Sequence, residues 1–232
     1  MLALVKAFDW KNVDAGFAEN PELLGFRDER GRNWLHLCCG VNAKRSTPRA
    51  EASIRTAELL LKLGIDIDQP AFVEGQWRAT PLWYAIARGE NLPLARYLLE
   101  HGSSPNHCLF AASWNNDLDT IRLLVKHGAD LNEVAEDETP FLGAVKFSRF
   151  GPAEELLKLG ADINHRDPKG MTALHYMLKK NSDKKHFAML LKYGPRGDIP
   201  NRDGLTAAQL MRNKRDPEFR SMAERLRNGA QS

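Results

Sequence analysis

The side chains of this sequence best suited to chemistry are its histidines and cysteines. His36 stands in "GRNWLHLCC" and His175 in "GMTALHYML". Either could act as a general base if a nucleophile or carboxylate lay within hydrogen-bond reach. Neither phrase supplies such a partner locally. A structural metal site needs ligands at fixed spacings, and the chain has no CxxC, HxxxH or HExxH. Cys38 and Cys39 are adjacent and Cys108 is distant, so the three make no disulfide framework. They read as small buried thiols in a reducing compartment. His101 and His127 each precede a glycine at the end of an apolar run, where a cation suits the negative end of a helix dipole. No catalytic residue, metal or cofactor is predicted.

Phosphate and nucleic-acid chemistry is equally thin. "GPRGDIP" does not follow a strand and open a helix, as a phosphate loop must. "KRSTPR" and "MRNKRDPEFR" are basic. Glu51 follows the first closely, and Asp216, Glu218 and Glu224 dilute the second, so both read as solvated surface. A net charge of +3 is too small to announce a nucleic-acid partner. With 43% apolar and 27% charged residues over 232 positions, the composition is that of a soluble globular protein with a substantial core. No apolar run approaches the roughly 18 residues that a membrane span needs. "MLALVKAFDW" lacks the pattern of a signal peptide. The expectation is a cytoplasmic monomer.

The informative feature is repetition. "GMTALHYML" and "GRNWLHLCC" share a glycine, a leucine and a histidine, and "ATPLWYAIA", "ETPFLGAV" and "NRDGLTAAQL" vary the same phrase. A second phrase alternates with it: an apolar helical run closed by Gly64, Gly102, Gly128, Gly160 or Gly194, at intervals of 38, 26, 32 and 34. A helix that stops and turns favours glycine just past its end. The apolar face before each glycine must bury against something, and one helix pair cannot bury its own, so the units stack.

These phrases resemble the ankyrin repeat, about 33 residues with a T-P-L-H-x-A core. "DPKGMTALHYML" is the nearest copy. Elsewhere the match loosens: Asn33 and Trp34 replace Thr-Pro, Leu142 and Gln209 fall where the histidine would be, and Trp83 does so in the second phrase. The resemblance implies an all-α solenoid of stacked helix pairs with short β-hairpins, in one domain over 1–232. Capping helices occupy 1–27 and repeats occupy 28–68, 69–106, 107–132, 133–164 and 165–200, with a C-terminal cap at 201–232. The third repeat lacks its hairpin. Residues 41–53, rich in Gly, Ser, Pro and basic residues, read as an inserted mobile surface loop that folding does not need.

The resemblance also implies roles. His36, Thr80, Thr139, Thr172 and His175 hold one turn to the next. Hairpin tips and inner-helix ends line a concave groove where a partner protein docks without catalysis. The alternative reading is a dedicated intracellular inhibitor or immunity-type protein that neutralises one enzyme. Groove candidates are Arg30, Arg32, Gln76, Trp77, Trp114, Asn115, Glu136, Glu138, Lys146, Phe147, Lys169, Lys179 and Lys180. Exposed aromatics there would be anchors, with Trp114 beside the notch left by the missing hairpin. The acidic tip around Glu133, Glu136, Asp137 and Glu138 would orient a charged partner against the lysines of the next repeat.

Overall fold

The computed structural model describes residues 1–44, 46–74, 77–135 and 137–228. Gln76, Glu136 and Arg45 therefore lie outside the described residues, as does the Trp77 side chain. Two compact units are resolved by their contacts, Met1–Ala129 and Asp130–Ser232, where sequence reading expects one domain.

The first unit opens with α1 (Leu2–Ala7) and α2 (Trp10–Glu19), followed by a 3-10 turn at Pro21–Gly25. Asp9 caps α2 by accepting from the Asn12 N–H. Three helix pairs follow: α3 (Trp34–Cys39) with α4 (Thr47–Lys62), α5 (Pro81–Ala87) with α6 (Leu92–Glu100), and α7 (Leu109–Trp114) with α8 (Leu118–Lys126). The first helix of each pair packs on the first helix of the next, which makes an inner row. Their partners make an outer row in the same way. Leu35, Leu60, Leu82, Leu94, Leu98, Leu109, Ile121 and Leu124 are fully buried between the rows. Each stabilises the stack by about 1.5–3 kcal/mol. A hairpin with paired strands joins β1 (Val73–Glu74) to β2 (Trp77–Arg78), antiparallel, with Glu74 opposite Trp77. Between α6 and α7 the chain turns without a strand.

In the second unit the inner row is α9 (Pro140–Lys146), α11 (Ala173–Lys179) and α13 (Ala207–Arg212). The outer row is α10 (Phe150–Lys158), α12 (Lys184–Leu191) and α14 (Pro217–Asn228). Phe141, Leu142, Leu156 and Phe187 form its buried centre. Phe219 of α14 meets Phe187 edge-on at 5.1 Å and closes the end of the stack. Gly160 ends α10 with φ of 104°, a conformation that strains any residue with a Cβ.

The structure corrects the reading of residues 41–53 as a mobile loop. α4 begins at Thr47, so half of that segment is helix. Ser46-Thr47-Pro48 marks a helix start: proline suits the first turn, where its missing N–H has no intrahelical acceptor. Ala50, Ser53, Ala57 and Leu60 then fall on one buried face at three- and four-residue spacing. The short connection before it is tied down as well. The buried Ala43 donates its N–H to the Gly89 carbonyl, and Lys44 pairs with Glu90. All three cysteines are buried and outside any disulfide, and burial raises the Cys38 thiol to about 12. No helix among the described residues is long and apolar enough to cross a membrane.

Candidate partner-binding surface

The turns that begin the repeats share one construction. Asp28 Oδ1 accepts the N–H groups of Arg30 and Arg32 at 3.0 and 2.9 Å. Asp167 Oδ1 accepts those of Lys169 and Met171 at 2.9 and 2.8 Å, and Asn201 Oδ1 those of Asp203 and Leu205 at 3.0 Å each. Gly31 sits in such a turn at φ 73°, where a Cβ would stand 2.1 Å from the Ala71 carbonyl oxygen. The next turn therefore presses directly on it. Burial works to raise both aspartates, but the hydrogen bonds they accept outweigh it and hold both carboxyls below their usual range.

Each histidine locks a turn to its neighbour. His36 Nδ1 accepts the Asn33 N–H at 3.2 Å, and Nε2 donates to the Ala79 carbonyl at 3.1 Å. His175 repeats this with the Thr172 N–H at 3.2 Å and the Leu205 carbonyl at 3.1 Å. Both rings are buried and both ring nitrogens are engaged, so neither of these two side chains is free to act as a base. Burial pushes His36 down to about 4 and lowers His175 as well, so both are neutral near pH 7. Thr80 and Thr139 cap α5 and α9 by accepting from the Trp83 and Leu142 N–H groups.

The other predicted residues divide between structure and surface. In the first unit, Arg32 is half-buried, bonded through Nε to Asp28 at 2.7 Å and lying over the Tyr84 ring. Arg30 is exposed. Asn115 reaches back to the Ile86 carbonyl at 2.9 Å, so it closes the end of α5. Trp114, at the end of α7, is 53% exposed.

The second unit gathers more of them. Glu138 pairs with Lys146, whose amine also lies 4.9 Å from the centre of the Tyr176 ring. Tyr176 donates its hydroxyl to Asp167 at 2.5 Å. Burial first, then this bond, raises the phenol to about 12. Lys180 donates to the Lys146 carbonyl, at the negative end of α9. Lys169 and Lys179 are exposed, and Phe147 is 54% exposed at the end of α9. Among the described residues no group of three His, Cys, Asp or Glu side chains is placed to hold a metal ion.

The stacked pairs, aspartate turns and histidine locks agree with sequence comparison, in which residues 49–135 match the family described as ankyrin repeats, in three copies. The chain carries ankyrin repeats. The ankyrin repeat domain of Bcl-3 superposes over 96% of both chains with a TM-score of 0.74 at 17% identity. The human ASB11 ankyrin repeat domain covers 98% of this chain, and 96% of its own, at 0.70 and 20%. An ankyrin repeat protein of fowlpox virus is 37% identical over 105 residues, covering 44% of this chain and 30% of its own length. Human ankyrin repeat and SOCS box protein 6 is 31% identical over 128 residues, covering 48% and 30%. The chain thus spans under a third of these curated relatives.

Three residues of the ankyrin surface escape a reading of sequence. Tyr176 and Asp167 connect Lys146 to the next turn, a contact between residues 30 apart and visible only once repeats stack. Lys214, at the end of α13, donates to Asn181 Oδ1 at 3.1 Å and extends the lysine row. Aligning the ends of inner helices from their capping residues would have found it: Lys214 is the eighth residue after Thr206, as Lys180 is after Thr172 and Phe147 after Thr139.

Proposed function

We propose that this protein binds other proteins through its turns and inner-helix ends, and that it does so without catalysis. Ankyrin repeats are generally protein–protein interaction modules, although a fold alone does not fix a function. The carrying observation is the exposure of Trp114 and Phe147 at the ends of inner helices. Ring-sized apolar groups left half in water are the usual anchors of an interface. The absence of catalysis is supported by the two buried histidines, whose nitrogens are both committed to the backbone. A pull-down from native extract, with mass spectrometry, identifies the partner. Trp114→Ala and Phe147→Ala then weaken its affinity at least tenfold, which is about 1.4 kcal/mol. Unchanged affinity in both variants would remove the aromatic anchors from the account.

A further inference from the structure

We infer that the inner-row end of the second unit docks an acidic segment of a partner protein, with Phe147 as its apolar contact. The inference rests on the protein-binding reading above and adds the chemistry of the partner.

The helices α9, α11 and α13 pack in sequence, and each delivers lysine at its C-terminal end: Lys146, then Lys179 and Lys180, then Lys214. They are contiguous. The Lys180 amine reaches the Lys146 carbonyl, and the Lys214 amine reaches Asn181, the residue after Lys180. Lys169 joins them from the Asp167 turn. Lys146 is neutralised by Glu138. Among the described residues Lys169, Lys179, Lys180 and Lys214 form no ion pair. In the outer row Lys158, Lys184 and Lys185 each have a carboxylate within 4.0 Å, and among the described residues Lys192 at the end of α12 forms no ion pair. Like charges crowd on the inner side. Burial lowers the Lys146 amine from its ordinary value, and Lys169 and Lys180 push it further, against the pull of Asp167 and Asp137. Carboxylates brought by a partner would relieve that repulsion. Phe147 stands directly after Lys146 and offers the ring that an apolar residue within the acidic segment would cover.

A protein segment fits better than a nucleic acid. Glu138 pairs with Lys146, and Asp167 and Asp137 lie close enough to act on its charge, so a uniform polyanion laid along the lysines would meet carboxylates. A peptide can place its acids against the lysines alone.

Fluorescence anisotropy with the full chain tests this. The probes are a fluorescein-labelled peptide of alternating glutamate and leucine, its glutamine counterpart, and an oligothymidylate of equal charge. The expected result is that the acidic peptide binds best. Its affinity falls at least tenfold in Lys169→Glu/Lys179→Glu, and falls as ionic strength rises toward about 0.3 M. Both replaced side chains are exposed, and a circular-dichroism melt verifies the fold. Equal binding of the acidic and glutamine peptides, both weakened by Phe147→Ala, would overturn the acidic chemistry while leaving the binding face intact. Oligothymidylate binding as tightly as the acidic peptide would overturn the assignment to a protein. An acidic peptide that does not bind, or that ignores the double variant, would overturn the inference outright.

Discussion

The first and fifth repeats contain the same lock built from different parts. In the fifth, the Thr172 hydroxyl lies 2.9 Å from His175 Nδ1 and gives it a proton, while His175 Nε2 holds Leu205. In the first, Asn33 takes the threonine place. Its Oδ1 accepts the His36 N–H at 3.1 Å but also lies 2.6 Å from His36 Nδ1, a nitrogen with no proton to offer. Its Nδ2 is buried without a hydrogen-bond partner. A hydroxyl can give and take at one atom, whereas an amide must split those tasks between two. The ring of the first lock is also the more deeply buried, and its basicity falls further. The comparison teaches that the histidine bond to the neighbouring turn is kept while its local support varies.

Acid should separate the two locks most strongly. The folded value of His36, about 4, lies below its ordinary 6.5. Above 6.5 neither state holds the proton. As pH falls below 6.5 the unfolded chain binds it first, so stability drops until about pH 4, by roughly 3 kcal/mol from this group. His175 acts in the same direction. Urea melts between pH 7 and 4 measure the loss, and His36→Gln should flatten it. A loss unaltered by that variant would assign it to other groups.

Truncation comes next. His36→Ala should cost about 2–3 kcal/mol, since the Ala79 carbonyl and Asn33 N–H lose partners in a buried site. His175→Ala should cost about 1–3 kcal/mol through Leu205 and Thr172. Denaturant midpoints measure both. An unchanged midpoint with partner binding lost would turn either residue from lock to contact.

Ser53→Ala should cost about 1–2 kcal/mol, because the buried Asn91 donates Nδ2 to the Ser53 hydroxyl at 2.8 Å. That bond ties α4 to the start of α6, and a neutral result would restore the reading of this segment as dispensable. Smallest, and opposite in sign, Asn33→Thr should stabilise by about 1 kcal/mol, by removing the buried amide and supplying the hydroxyl proton. A destabilised Asn33→Thr would break the comparison between the locks.

The fold is legible in the sequence because its turns demand particular residues. Thr80, Thr139 and Thr172 stand at helix starts, and glycines stand where φ is positive. The start of α4 is obscured because Ser-Thr-Pro is the vocabulary of loops and of first helical turns alike. The surface is legible only in part. Exposure of Trp114 and Phe147 follows from their places at helix ends. That Asn115 serves Ile86, and Arg32 serves Asp28 and Tyr84, depends on which neighbour the stack supplies.

The most direct test of the binding account pairs a melt with an affinity. Trp114→Ala and Phe147→Ala are each followed by circular dichroism and titrated against the recovered partner. The account predicts melting within a degree or two of the parent, since rings half in water contribute little to the core, and affinity at least tenfold weaker in each. Variants that melt several degrees lower and bind as before would contradict it, making both rings part of the packing and placing the partner elsewhere.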